Sequence, residues 1–158
     1  MNQPLQKVLK CSFLFTFSFL LGFSAFAQSN RQLIKKGNKL YGEEIYRSAI
    51  PFYEQVLAKD PDNATALFRA GVSYISFDKE KASDYIYRAQ RLKPKVSSDV
   101  EYWLGRIDHL NYKFDEAIAH YRLYDASLKK NDERKVELAR LIQQSKNAKT
   151  QFNNPKDI

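Results

Sequence analysis

The sequence predicts an all-α solenoid of three helix-turn-helix pairs closed by one C-terminal capping helix. Two observations carry that reading. Three glycines, Gly37, Gly71 and Gly105, recur at intervals of 34 residues, and a fixed period of that length is the signature of stacked helical hairpins. Apolar residues between them follow helical spacing, as in Phe114, Ala117, Ile118, Tyr121, Tyr124 and Leu128. Composition agrees: 158 residues suffice for one sizeable domain, and five Gly, five Pro and 44% hydrophobic residues argue against a collagenous or low-complexity chain.

Residues 1 to 27 stand apart. Lys7 and Lys10 precede an apolar run from Cys11 to Phe23, and Ala25-Phe26-Ala27 supplies a small-x-small site, the three-part layout of a secretory signal peptide. The run of 13 residues, roughly 20 Å as a helix, is short of the ~30 Å hydrocarbon core of a bilayer. Cleavage before Gln28 is expected, leaving 131 residues exported to the periplasm. Cys11 leaves with the leader, so the mature chain has no disulfide, thiol nucleophile or cysteine-ligated metal.

The repeats are expected at about 31–63, 64–96 and 98–130, within a domain spanning 28–151. Gly37 is followed by Ala49, Tyr53 and Pro61; Gly71 by Ala82, Ile86 and Pro94; Gly105 by Ala117 and Tyr121. Small residues let two helices cross closely, the bulky residue four positions after the alanine fills the adjoining gap, and proline ends the second helix. The second repeat is one residue short between glycine and alanine, most simply in the turn Asp78-Lys79-Glu80-Lys81, where a deletion costs least. Pro51 falls about one turn into a predicted helix, so a late start or a kink is expected there. Leu138, Leu141, Ile142, Ser145, Ala148 and Phe152 form one stripe of a capping helix over 132–151, with 152–158 as a tail.

This frame resembles the tetratricopeptide repeat (TPR): Leu104-Gly105 with Ala117 and Tyr121 in the third repeat, Ala70-Gly71 with Tyr74 in the second, and a looser first repeat with Leu40 at the Tyr position. The resemblance covers residues 31 to 130 and implies a right-handed TPR α-solenoid of seven helices. It also implies a concave groove lined by first-helix residues, with Asn38, Tyr41, Phe68, Val72, Tyr102, Arg106 and His109 as the partner-binding set. The competing reading packs Ile34, Phe68 and Tyr102 between helices. Some TPR domains clamp carboxylates with Lys and Asn on the first helix, Asn on the third, and Lys and Arg on the fifth. Ile34, Asn38, Arg69, Asp99 and Trp103 stand at those positions, and one match in five rejects that clamp.

The segment from Leu138 to Lys149, followed by Asn154-Pro155, is similar to the junction after the repeats in Bacteroidetes envelope proteins. In those the repeats lead into a β-propeller and an OmpA-like domain, and some serve type IX secretion. The similar segment often has Cys where this chain has Ser145.

Chemistry-bearing groupings are sparse. His109 and His120 are the two histidines, and neither belongs to a Ser-His-Asp or His-x-x-x-His pattern. Asp108 and Asp115 near them suggest a metal site, but interhelical polar contacts explain them better, and no glycine-rich phosphate loop occurs. No enzyme activity, cofactor, metal or small-molecule substrate is expected. Charge is uneven: residues 129–149 hold seven Lys/Arg against three acids, and 28–128 hold 16 against 14. The expected function is therefore a periplasmic scaffold taking a protein or peptide in its groove, with no nucleic-acid partner. The alternative is an anion- or membrane-surface-binding module acting through the basic cap.

Overall fold

The computed structural model describes residues 30–154, and the signal-peptide reading of 1–27 lies outside them. Seven helices follow one another: α1 over 30–42, α2 Tyr46–Leu57, α3 Ala64–Tyr74, α4 Lys79–Leu92, α5 Val100–Leu110, α6 Phe114–Ser127 and α7 Arg134–Asn153. Each helix packs on the next, and the described residues contain no strand. The chain is an α-solenoid of three hairpins closed by α7. Among the described residues, no helix is long and apolar enough to cross a membrane.

The hairpins are held by one recurring contact. A β-carbon on Gly37 would stand 2.8 Å from the Tyr53 ring, one on Gly71 2.7 Å from Ile86 Cγ1, and one on Gly105 2.6 Å from the Tyr121 ring. Such distances fall inside van der Waals contact, so the backbone at each glycine is the floor on which the second helix rests its large side chain. Ala49, Ala82 and Ala117, one turn earlier, are fully buried at the same crossings. Tyr53, Ile86 and Tyr121 are themselves 0% exposed.

Turn chemistry explains the shorter second repeat. After α1, Ile45 N–H reaches Leu40 C=O (2.9 Å) and Glu44 N–H reaches Tyr41 C=O (3.1 Å); after α5, Lys113 and Tyr112 make the same bonds to Asp108 and His109. These are paired Schellman bonds, and they require a left-handed residue, supplied by Glu44 (φ 59°) and Tyr112 (φ 61°). The middle turn lacks that residue: α3 stops at Tyr74, and both Phe77 and Asp78 N–H reach Tyr74 C=O. The missing residue thus falls before α4, not among Asp78 to Lys81 as the sequence suggested, because Lys79 to Lys81 are already helical. Asp78 instead caps α4, its carboxylate accepting from Lys81 N–H at 2.9 Å.

Pro51 lies inside α2, which begins at Tyr46 rather than late. Its ring leaves the Arg47 carbonyl without its helical donor, and Arg47 is on the exposed side, where water can serve. Asn63 starts α3, accepting from Ala66 N–H at 3.0 Å. On the stripe of α7, Leu138, Leu141 and Ser145 are buried, whereas Phe152 is 64% exposed and stacks on Tyr112 at 5.6 Å. Away from the glycine crossings, Glu54 of α2 accepts from Tyr74 (2.9 Å) and Tyr85 (3.2 Å) and pairs with Lys81 (2.9 Å), tying α2, α3 and α4 together.

Two outcomes test this packing by urea denaturation. Gly105→Ala is expected to lose about 1–3 kcal/mol through overpacking against Tyr121, while Gly42→Ala, where no atom lies within 4 Å of the added carbon, should gain about 0.4–1 kcal/mol. Equal effects at the two sites would contradict the crossing. Glu44→Gly should raise stability by about 0.5–1 kcal/mol because glycine accepts the left-handed backbone without a steric penalty; a loss of that size would contradict the turn assignment.

Candidate functional site

The structure divides the seven sequence-predicted groove residues. Phe68 (1% exposed) and Val72 (4%) are core, packed with Tyr53, Leu67 and Leu104, and they offer nothing to a partner. The reason is position: the middle repeat is covered by neighbours on both sides, whereas the equivalent Ile34 and Tyr102 of the outer repeats are half-buried. Asn38 is exposed and accepts from Tyr53 Oη at 2.9 Å. Tyr41 is half-buried beneath the Arg69 guanidinium, 4.2 Å from its ring centroid, and burial pushes its hydroxyl pKa up. Arg106 donates to Tyr102 Oη at 3.1 Å.

Tyr102 lies in an open cavity of about 490 Å³ between α3, α5, α6 and α7, shared with Arg69, Asp99, Trp103, Tyr124, Arg134, Glu137 and Leu138. Its wall is aromatic: Tyr102 meets Trp103 edge-on at 5.0 Å and Tyr124 at 5.8 Å. Polar groups are fixed around that wall. Trp103 Nε1 donates to Asp99 at 2.9 Å, with Ser97 Oγ on the other carboxylate oxygen, and Arg134 donates to Tyr124 Oη at 2.8 Å. Three of these residues, Arg69, Asp99 and Trp103, occupy positions at which the carboxylate clamp had been rejected. Tyr124, Arg134 and Glu137 carry no signal of this role in the repeat frame, and Leu138 is marked only by the apolar stripe of α7.

A separate cavity of about 200 Å³ lies along the α5–α7 seam, lined by Arg106, His109, Leu110, Tyr121, Arg140, Leu141 and Gln144. His109 Nδ1 lies 2.8 Å from Ser145 Oγ, and that hydroxyl donates to Leu141 C=O at 3.0 Å. The serine proton is therefore committed, so the imidazole must donate to the serine rather than take its proton, and Ser145 is fully buried. Burial and the Arg106 charge both push the His109 pKa down.

His120 sits between two carboxylates, Nδ1 2.6 Å from Glu101 and Nε2 3.5 Å from Asp108. The acids face opposite ring nitrogens, so they do not converge on one ion; among the described residues no cluster is placed to hold a metal. Asp115 is elsewhere, paired with Lys149 at 2.7 Å. Asp108 is 0% exposed, accepts from Tyr87 Oη through Oδ1, and leaves Oδ2 without a hydrogen bond. Burial raises its pKa against the pull of Tyr87, His120 and Lys113.

The basic cap is largely neutralised. Arg134 pairs with Asp132 (2.7 Å), Lys135 with Asp125 (3.0 Å), Arg140 with Glu137 and Lys149 with Asp115.

No family model matches the chain, and no curated protein does. Solved structures do. The TPR domain of Arabidopsis OM64 superposes with a TM-score of 0.61 at 20% identity, covering 73% of this chain and 96% of that one. The second TPR domain of human RPAP3, solved in complex with the HSP70 peptide SGPTIEEVD, superposes with a TM-score of 0.60 at 18% identity, covering 77% and 98%. The fold is a TPR solenoid.

Asp108→Asn should keep the Tyr87 bond and supply a donor toward His120 in place of a buried charge, so stability at neutral pH should stay level or rise by about 1–2 kcal/mol. The sign with pH follows from the raised pKa. A carboxyl whose folded pKa exceeds its unfolded value of 3.8 contributes stability below that value and loses it as pH rises. The advantage of Asn over Asp should therefore shrink on acidification toward pH ~4. Melting temperatures across that range check it, and an advantage that grows on acidification would contradict it.

Proposed function

We propose that this protein is a non-enzymatic scaffold that takes a segment of a protein partner in the groove between α3, α5 and α7. The supporting observation is the aromatic-walled cavity of about 490 Å³ at the inner face of a TPR fold, with Arg69 and Arg134 beside Asp99 and Glu137. Its chemistry suits an extended peptide: Tyr102, Trp103 and Tyr124 accept an apolar or aromatic side chain, and charges of both signs orient the backbone and flanking polar groups. The TPR domain of RPAP3, a neighbour in fold, is held with a peptide.

The setting proposed is the periplasm or outer-membrane-associated envelope, on the strength of the leader-like residues 1–27 and the likeness of residues 138–158 to the junction in OmpA-like Bacteroidetes proteins, some of them secretion-associated. The basic cap is the less favoured surface because most of its cations already have carboxylate partners.

Crosslinking residues 28–158 to their partner in envelope extracts tests the groove. Arg69→Glu should weaken capture by roughly thirtyfold, about 2 kcal/mol, while melting slightly earlier for loss of its stack on Tyr41 and remaining folded at the assay temperature. The double variant Lys146→Ala, Lys149→Ala should capture normally. Loss of the partner in the cap variant alone would move binding from the groove to the basic surface of α7 around Lys146 and Lys149.

A further inference from the structure

The repeat supplies its own control for one polar position. The residue after each crossing glycine is set beside the bulky residue that rests on that glycine, repeat by repeat. In the first repeat the pair is Asn38 and Tyr53, and the tyrosine hydroxyl donates to Asn38 Oδ1 at 2.9 Å. In the second it is Val72 with Ile86, both buried and apolar. In the third it is Arg106 with Tyr121. A guanidinium has five donors and no acceptor, so it cannot take the tyrosine proton as asparagine does.

The consequence is visible. Tyr121 is 0% exposed, and its hydroxyl has no hydrogen-bond partner. An orphaned buried hydroxyl is costly and in native proteins is usually matched by a ligand or by water. Among the described residues, Arg106 has no carboxylate within ion-pairing distance, and its hydrogen bond goes to Tyr102. Glu137, the acid on the facing turn of α7, is already held by Arg140, whose Nε donates to it at 2.7 Å. Arg106, Tyr121 and Gln144 are among the residues that line the cavity of about 200 Å³ along the α5–α7 seam. That volume is below the ~300 Å³ at which small-molecule pockets begin, and Arg140 on its wall is bonded to Glu137 on the wall of the larger cavity. It fits one side chain or one chain end of a segment lying in the groove.

We propose that Arg106 and Tyr121 form a carboxylate subsite, with an acidic side chain or a C-terminal carboxylate of the partner accepting from the Arg106 guanidinium and the Tyr121 hydroxyl together. The proposal rests on the groove reading and names one chemical group within it. Arg106 stands three residues beyond Trp103, the last of the clamp positions, so this is a different place on α5.

Acetate is the probe, titrated into ¹⁵N-labelled protein against sodium chloride at matched ionic strength, with the Arg106 Nε–H and Gln144 amide signals as readout. A saturable shift with acetate and none with chloride is expected. Arg106→Asn should abolish it, and Tyr121→Phe should weaken it about tenfold, the effect of one hydrogen bond to a charged group. Arg106→Asn should also melt at or above the wild-type temperature, since it restores the acceptor that Asn38 gives Tyr53. Tyr121→Phe should melt at or above the wild-type temperature, because it removes a buried hydroxyl that bonds nothing in the free protein. N-acetylglutamate amide and N-acetylalanine then identify the source: competition with acetate by the first assigns an acidic side chain, and by the second a chain terminus. Equal shifts with acetate and chloride, retained binding in Arg106→Asn, or failure of both compounds to compete would overturn the subsite. Such a failure alongside partner loss in Arg69→Glu would remove the subsite and leave the groove reading standing.

Discussion

The rest of the molecule depends on the contact between a glycine backbone and one large side chain, made three times. Gly37 lies under Tyr53, Gly71 under Ile86 and Gly105 under Tyr121, each without room for a methyl group. Two helices that close cannot slide or rotate without a clash, because packed interiors have no spare volume. The contact therefore fixes how each hairpin closes and which residues of its first helix turn inward.

Function follows from what that geometry leaves uncovered. Stacking seals the inner face of the middle hairpin, so Phe68 and Val72 become core. At the C-terminal end α7 stands where a further first helix would; its Leu138 packs with Tyr124 in the cluster that Tyr102 touches, and its Arg134 and Glu137 line a cavity with Tyr102 and Trp103. The same residues after the crossing glycines, Asn38, Val72 and Arg106, then sort by local need: one completes a hydrogen bond, one is apolar, and one brings a charge beside a hydroxyl it cannot satisfy. Equivalent positions carry three different chemistries.

Much of this was legible in the sequence because it is periodic. The spacing of 34 residues, the alanine-to-aromatic step and the stripe on α7 depend on side-chain size and helical spacing, which a single sequence displays. The left-handed turns were not legible, since Glu44 and Tyr112 stand where glycine or asparagine would have signalled them. Pro51 does not delay α2, because the carbonyl that loses its donor belongs to exposed Arg47. Phe68 and Val72 were placed in the groove because equivalent positions were treated alike, whereas a middle repeat buries what an end repeat exposes. The partnership of Arg106 with Tyr121 was available by setting the first and third repeats side by side, but its meaning needed the bond between Asn38 and Tyr53 to be seen.

The glycine positions are constrained by the large side chain above them and not by helix propensity or turn formation. A double-mutant cycle between Gly105→Ala and Tyr121→Leu measures this directly, with stabilities from urea unfolding. A coupling of about 1 kcal/mol or more is expected, the alanine being tolerated once the ring is gone, whereas additivity within about 0.5 kcal/mol would contradict it.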